Sequence, residues 1–449
     1  MSDPNGRWRC GIVEGFYGRP WTGRQRLELF CRMADLGLNA YVYAPKDDLK
    51  HRAIWREAYS DDELTPFREQ IDRCERLGIA WVYALAPGLD IRFSDPNDRL
   101  ALGLRFEQLR AIGARHFALL FDDLPGSLSD RDQSAYPSLA AAHCDVVNAT
   151  VERIELDSDG WFLFCPTPYC DQMDRDGVGG AGYLDRVGRS LHPGVDVFWT
   201  GPDIVSTEIP EASIRGLAER IGRPPVVWDN LFANDYDFHR VHCGPYSGRE
   251  RDLIGATRGI LINPNNEFCL NTVPFRTFAE FCGGSGAWRP YDAYRAAVAG
   301  WHDAFATVGS AVLVEDVALL CDCFHLPARE GRGGEALVSA VEGVLRTGHD
   351  ARNAAIHGFR EIDRRVQGLF ERLTELRDRD LFHAWSRYVW QLKEELLAAE
   401  RILGRALRAG EGSEPRSDGG EANLDDVLPN TFRGGLLAKL ERIITPAHG

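Results

Sequence analysis

A chain of 449 residues exceeds the size at which one hydrophobic core usually stops growing, so two or more folding units are expected. Its 44 % hydrophobic and 27 % charged content is that of a folded globular protein and excludes collagen-like, disordered and polytopic membrane chains. A formal net charge of -15 opposes phosphate backbones and anionic lipid surfaces, which argues against nucleic-acid and membrane partners.

No run reaches the roughly 20 apolar residues that span a bilayer. Met1-Ser2-Asp3-Pro4-Asn5-Gly6-Arg7 lacks the basic-then-apolar pattern of a secretory signal, so a cytoplasmic location is expected. The eleven cysteines form no C-x-x-C pair and most lie in apolar stretches, which reads as packed, reduced thiols. Cys165 with Cys170, or Cys321 with Cys323, lacks the four-ligand spacing of a zinc site. Neither metal nor cofactor is expected.

From residue 8 to 282, short apolar runs alternate with segments of helical period. The runs Cys10–Tyr17, Leu38–Ala44, Ile79–Ala86, His116–Phe121, Trp161–Cys165, Asp196–Thr200, Pro225–Trp228 and Gly259–Asn263 read as eight strands. Between the first pair, Arg24–Leu36 places Leu27, Phe30, Cys31 and Ala34 at helical spacing. Between the second, Asp61–Leu77 opens with an acidic first turn. Eight such units predict an α/β fold, a TIM (β/α)8 barrel, over a doubly wound sheet. The turn Gly15-Phe16-Tyr17-Gly18 lacks the G-x-G-x-x-G fingerprint of a dinucleotide fold.

After the junction Gly283-Gly284-Ser285-Gly286 the period is helical throughout, in Tyr291–Phe305, Val314–Phe324, Glu335–Arg346, Arg352–Leu376 and Leu381–Leu407. Residues 287–449 therefore read as an all-α stalk or bundle. Within it, 410–422 reads as a disordered loop, and Phe432-Arg433-Gly434-Gly435-Leu436 with Leu440, Ile443 and Ile444 as a segment that docks back.

A barrel of this kind gathers its chemistry at the C-terminal ends of the strands. That selects Gly15, Tyr17, Lys46, Asp122, Asp123, Tyr169, Trp228, Asp229, Asn230, Asp235 and Asn263. Asp122 and Asp123 follow an apolar strand directly, and two acids at one rim repel when both are ionised, so one charged and one protonated group is the expected state. That division suits a glycosidase, in which one acid protonates the departing oxygen and the other stabilises developing positive charge. A helix-capping role for the pair is the competing reading. Lys46 is one of only four lysines; a hydroxyl-reading ammonium and a surface partner of Asp47 or Asp48 weigh equally for it. Trp228-Asp229-Asn230 and Asn234-Asp235-Tyr236-Asp237 combine an aromatic ring with amides and carboxylates, the composition of a sugar pocket, and rank above a calcium loop. Asn263-Pro264-Asn265 also suits a simple turn.

Gly11-Ile12-Val13-Glu14-Gly15-Phe16-Tyr17-Gly18-Arg19-Pro20-Trp21, Tyr43-Ala44-Pro45-Lys46-Asp47-Asp48, Phe121-Asp122-Asp123, Cys165-Pro166-Thr167-Pro168-Tyr169-Cys170, Trp228-Asp229-Asn230 and Asn263-Pro264-Asn265 occur in the order and approximate spacing of glycoside hydrolase family 84. The chain closely resembles that family, the protein O-GlcNAcases, over residues 8–282. The resemblance implies a TIM-barrel, retaining exo-β-N-acetylglucosaminidase that removes O-linked N-acetylglucosamine from serine and threonine of proteins through an oxazoline. By the same resemblance Asp122 orients the acetamido group and Asp123 is the general acid and base. Tyr169 positions the oxazoline, and Gly15, Lys46, Trp228, Asn230, Asp235 and Asn263 bind the sugar. Pro168 and Phe232 stand where relatives place a glutamate and a histidine, which implies a rim of different polarity. Cys323-Phe324-His325-Leu326-Pro327 and Tyr388-Val389-Trp390 resemble the animal stalk, which implies a homodimer formed through it. Alternatives are a hexosaminidase or hyaluronidase-like enzyme on free oligosaccharides or polymers, and a non-catalytic glycan-binding module.

Overall fold

The computed structural model describes residues 8–87, 90–284, 286–346 and 349–410. Its first compact unit is a closed barrel of eight parallel strands in sequential order, with β1 hydrogen-bonded to β8. The strands are β1 Arg9–Glu14, β2 Ala40–Tyr43, β3 Ala80–Leu85, β4 His116–Leu120, β5 Trp161–Cys165, β6 Val195–Trp199, β7 Val226–Asp229 and β8 Gly259–Ile262. Each matches an apolar run of the sequence, with its ends shifted by up to three residues.

The barrel is built by alternation, because successive strand side chains face opposite sides. Val13, Ala40, Val42, Ala44, Ala80, Val82, Ala84, Ala118, Leu120, Leu163, Val226 and Leu261 fill the interior. Alanine alternates there with valine on β2 and β3 and with leucine on β4. The intervening residues are large and face the helices. Tyr41 meets Phe30 edge-on with ring centroids 5.0 Å apart, Tyr43 meets Phe67 at 4.9 Å, and Phe117 meets Phe106 at 5.4 Å. Each such pair contributes about 0.5–1.5 kcal/mol beyond its buried area.

Helix starts follow local chemistry. Thr22 caps Gly23–Asp35 and Ser60 caps Asp61–Leu77, each in a capping box closed by Gln25 or Glu63. The second of these helices ends at Gly78, whose positive φ of 69° glycine adopts without strain.

The second unit contains Pro290–Trp301, Val314–Cys323, Arg332–Arg346, His349–Thr374 and Arg379–Gly410, all helical. Their apolar stripes converge on Trp301, Leu320, Phe324, Leu369, Leu373, Trp385 and Tyr388. Buried Asp316 accepts from Arg372 at 2.7 Å, giving its charge a partner. The division is not the single cut at 283–286 that the sequence suggests: Tyr236–Pro245 and Cys269–Thr277 group with the helical unit, while Tyr246–Phe268 and Phe278–Trp288 group with the barrel. Of the expected loop at 410–422, Gly410 instead ends the last helix, and the rest, with the docking segment Phe432–Leu436 and Leu440, Ile443 and Ile444, lies outside the described residues. Among the described residues no helix is long and apolar enough to cross a membrane.

Gly11 in β1 has no room for a side chain, since a Cβ there would stand 1.7 Å from the carbonyl oxygen of Ala40 on the paired strand. Gly11→Ala is expected to lower the unfolding free energy by about 3 kcal/mol or more in urea melts, through overpacking at the β1–β2 pair. Gly23→Ala, where a Cβ meets nothing within 4 Å, serves as the control and should be neutral or slightly stabilising.

Candidate active site

The alternation that fills the barrel also selects its polar mouth. Continuing the inward-facing series past the apolar core takes Val13 to Gly15, Ala44 to Lys46, Leu120 to Asp122, Trp228 to Asn230 and Leu261 to Asn263. Cys165 leads in two steps to Tyr169. Residues of opposite parity face outward. Asp229, on the strand-end shortlist, is fully buried and gripped by Arg249 at 2.6 and 2.8 Å and by the Tyr246 hydroxyl at 2.8 Å. Glu14 is likewise buried and held by Arg26 at 2.7 and 2.8 Å. Both are structural.

Asp122 is 7 % exposed. Its Oδ2 accepts from the ammonium of Lys46, whose side chain is 2 % exposed, so the surface-lysine reading gives way to a buried ion pair. Asp122 Oδ1 is enclosed and has no hydrogen-bond partner. Buried carboxylate oxygens are rarely left so, because desolvation without a donor costs about 1–3 kcal/mol or more. An N–H donor presented to it would remove that cost.

Asp123 has the wrong parity to face the pocket, and its backbone compensates. It takes a left-handed φ of 55°, uncommon for a residue with a side chain. The turn brings its carboxylate between two phenols: Tyr17 donates to Oδ2 at 2.7 Å and Tyr169 to Oδ1 at 3.2 Å. Both phenols are pushed above their ordinary range, first by burial and then by the Asp123 charge and hydrogen bond, so they stay donors. The beginning of the next segment is anchored where Thr167 donates to the Phe121 carbonyl at 2.7 Å.

The wall opposite is an amide and indole array. Trp228 Nε1 and Asn263 Nδ2 both donate to Asn230 Oδ1 at 3.0 Å, and Asn230 Nδ2 donates to the Ile204 carbonyl at 2.8 Å. Asn263 Oδ1 is buried without a partner, a second vacant acceptor. Gly15 packs so closely that a Cβ would lie 2.2 Å from the Trp228 ring, so only glycine allows the indole to stand there. Lys46 Nζ lies 5.9 Å from the centre of that ring. Asp235 accepts the Tyr17 backbone N–H at 2.9 Å, and burial raises its carboxyl above the usual range.

The structure thus brings together Gly15, Lys46, Asp122, Asp123, Tyr169, Trp228, Asn230, Asp235 and Asn263. It adds Tyr17 as the direct partner of Asp123, a role the strand-end rule hinted at, and Arg52, which no motif signalled. Arg52 Nη2 approaches the Asp123 carbonyl oxygen at 3.5 Å. Pro168 is buried and Phe232 is fully buried with its ring 6.3 Å from Tyr246, so these two replacements alter packing beneath the surface and not an exposed rim. Among the described residues no cluster of three or more His, Cys, Asp or Glu side chains is placed to hold a metal ion.

Comparison with known proteins places this constellation. The profile of the beta-N-acetylglucosaminidase family matches residues 10–316. The chain is 45 % identical over 275 residues to the Protein O-GlcNAcase of Rattus norvegicus and to that of Mus musculus. Those alignments cover 61 % of this chain and 30 % of the rodent proteins, so the chain spans under a third of their length. Among solved structures, a mutant of the Thermobaculum terrenum O-GlcNAc hydrolase superposes with a TM-score of 0.73 at 28 % identity, covering 90 % of this chain and 83 % of that one. With a fold, a family profile and relatives in agreement, the chain belongs to the beta-N-acetylglucosaminidase family.

Proposed function

We propose that this protein is a retaining exo-β-N-acetylglucosaminidase that removes O-linked N-acetylglucosamine from serine and threonine side chains, using the sugar's own acetamido group as nucleophile. One observation carries the reading: consecutive carboxylates at the end of β4, one with an enclosed acceptor oxygen awaiting a donor, the other aimed into the same pocket by a left-handed turn.

In the first step the acetamido carbonyl oxygen attacks the anomeric carbon while the bond to the serine or threonine oxygen breaks. The departing oxygen takes the bonding electron pair and the proton of Asp123. Asp122 accepts the acetamido N–H through Oδ1, which raises the carbonyl's nucleophilicity and stabilises the oxazoline. In the second step Asp123 removes a proton from water as that water attacks the anomeric carbon, the oxazoline ring opens, and configuration is retained. A carboxylate nucleophile is not required, so the carboxylate spacing of ordinary retaining enzymes does not apply. Tyr169 lines the acetamido side. Lys46, Asn230, Asp235 and Asn263 read hydroxyls and the acetamido group, Trp228 covers an apolar sugar face, and Gly15 leaves room for it.

The remaining parts of the reading have separate supports. The barrel unit carries catalysis and the helical unit serves as a stalk. Homodimerisation through it is favoured by Trp390 and Leu397, 53 % and 38 % exposed and seven residues apart on one face of Arg379–Gly410. A reducing, cytoplasmic setting is favoured by eleven free thiols.

Release of the fluorophore from 4-methylumbelliferyl β-N-acetylglucosaminide tests the activity, and N-trifluoroacetyl substitution tests the mechanism. Turnover should fall steeply as the acetamido oxygen is made less nucleophilic; folded protein that leaves the substrate intact would sink the proposal. Asp123→Asn should lose about 10²-fold or more on a GlcNAc-serine peptide and far less on substrates with phenolate leaving groups that need no proton. Equal losses on the two would remove Asp123 as the acid. Lys46→Met should strip Asp122 of its cation, abolish most turnover and cost about 3–5 kcal/mol of stability. Adding Asp122→Asn should restore the melting temperature without restoring turnover, whereas a single variant as stable as wild type would show the ion pair to be unimportant.

A further inference from the structure

Arg52 lies on the segment after β2 and is absorbed by none of the roles above. Its Nη2 touches the main-chain carbonyl of Asp123 at 3.5 Å, and its guanidinium carbon sits 5.7 Å from the centre of the Tyr17 ring. Its Nη1 is buried and has no hydrogen-bond partner. Among the described residues the guanidinium makes no ion pair, in contrast to the other cations of this region. Lys46 has Asp122, Lys50 has Glu63, and Arg56 has Asp90 and Asp98.

The position of this charge matters more than its isolation. The leaving oxygen must sit against the Asp123 carboxylate, and Tyr17, 40 % exposed, borders that carboxylate. Lys46, Trp228, Asn230 and Asn263 belong to the sugar wall. Arg52 instead stands against Asp123 and Tyr17, where the aglycone leaves. When Asp123 carries the proton it will deliver, it is neutral, and Arg52 then has no anion beside it. A guanidinium without a counter-ion is costly, and an incoming carboxylate or phosphate at its exposed edge supplies one with a charge-assisted bond. Arginine suits such a group because its planar fork donates to two oxygens at once.

The geometry points to Arg52 as a specificity residue that recognises an anionic side chain, carboxylate or phosphate, flanking the glycosylated serine or threonine of the substrate. This rests on the glycosidase reading of the site. It also runs against the protein's net charge of -15, so the preference must be local and short-ranged.

The test is a set of GlcNAc-serine peptides in which glutamate or phosphoserine is moved through the two positions on either side of the sugar-bearing serine, each compared with its glutamine counterpart. For wild type, at least one position should show kcat/KM about tenfold higher for the anionic peptide at low salt, fading as salt screens the contact. In Arg52→Gln the anionic-to-neutral ratio should fall to near one, and Arg52→Lys should retain part of it. Because the ratio is taken within one enzyme, any general loss of activity cancels. A preference for phosphoserine alone or glutamate alone would tell which anion is read. Wild type with no anionic preference at any position, or a preference that survives Arg52→Gln, overturns the inference. Wild type that also fails on the aryl glycoside would overturn the glycosidase reading itself and this inference with it.

Discussion

The two-residue period of a β-strand governs both halves of this barrel. Small and branched residues of one parity fill the lumen, and the next residues of that same parity, one or two steps further along each strand, line the mouth. The hydrophobic core and the polar site are therefore one pattern continued, with chemistry changing from Ala44 to Lys46, from Leu120 to Asp122 and from Leu261 to Asn263. A one-residue slip in β2 would put Lys46 among the helices and Tyr41 and Tyr43 into the lumen. Core packing consequently fixes the site's geometry at no separate cost in ordering.

Opposite parity has its own use. Glu14 and Asp229 point away from the pocket and are each clamped by an arginine, tying β1 to its following helix and β7 to the segment around Ser206 and Thr207. Arg249 donates to Asp229 and to three carbonyls, so a fully buried cation is completely bonded. This knot lies directly under Asn230 and next to Ile204, whose carbonyl orients the Asn230 amide. The Asp229–Arg249 knot is thus satisfied, while Asp122 Oδ1 and Asn263 Oδ1 in the site are not. Rigid support below and unmet valence above is the arrangement expected of a preorganised binding site.

Much of this was legible in the chain itself. Apolar runs bounded by helical segments give eight strands, and the strand-end rule reaches nearly every residue of the mouth. What stayed hidden has physical reasons. Lys46 sits beside Asp47 and Asp48 in sequence, so nothing local reveals that its partner is Asp122, 76 positions away. The Asp123 pairing with Tyr17 depends on a backbone turn that no side-chain pattern encodes. Arg52 is one arginine among many, distinguished only by the partners it lacks. Asp229 looks like a pocket residue until parity is counted. The grouping of Tyr236–Pro245 and Cys269–Thr277 with the helical unit is a matter of long-range contact, invisible to a composition shift at 283–286.

The left-handed backbone at Asp123 has an evolutionary consequence. Glycine relieves that conformation at once and asparagine tolerates it about as well as aspartate, so the two replacements the backbone admits most readily are also ones that remove the ionisable group. On the proposed reading, a glycine here would keep the wall built from Lys46, Trp228, Asn230 and Asn263 while losing the acid, the outline of a lectin made from an enzyme.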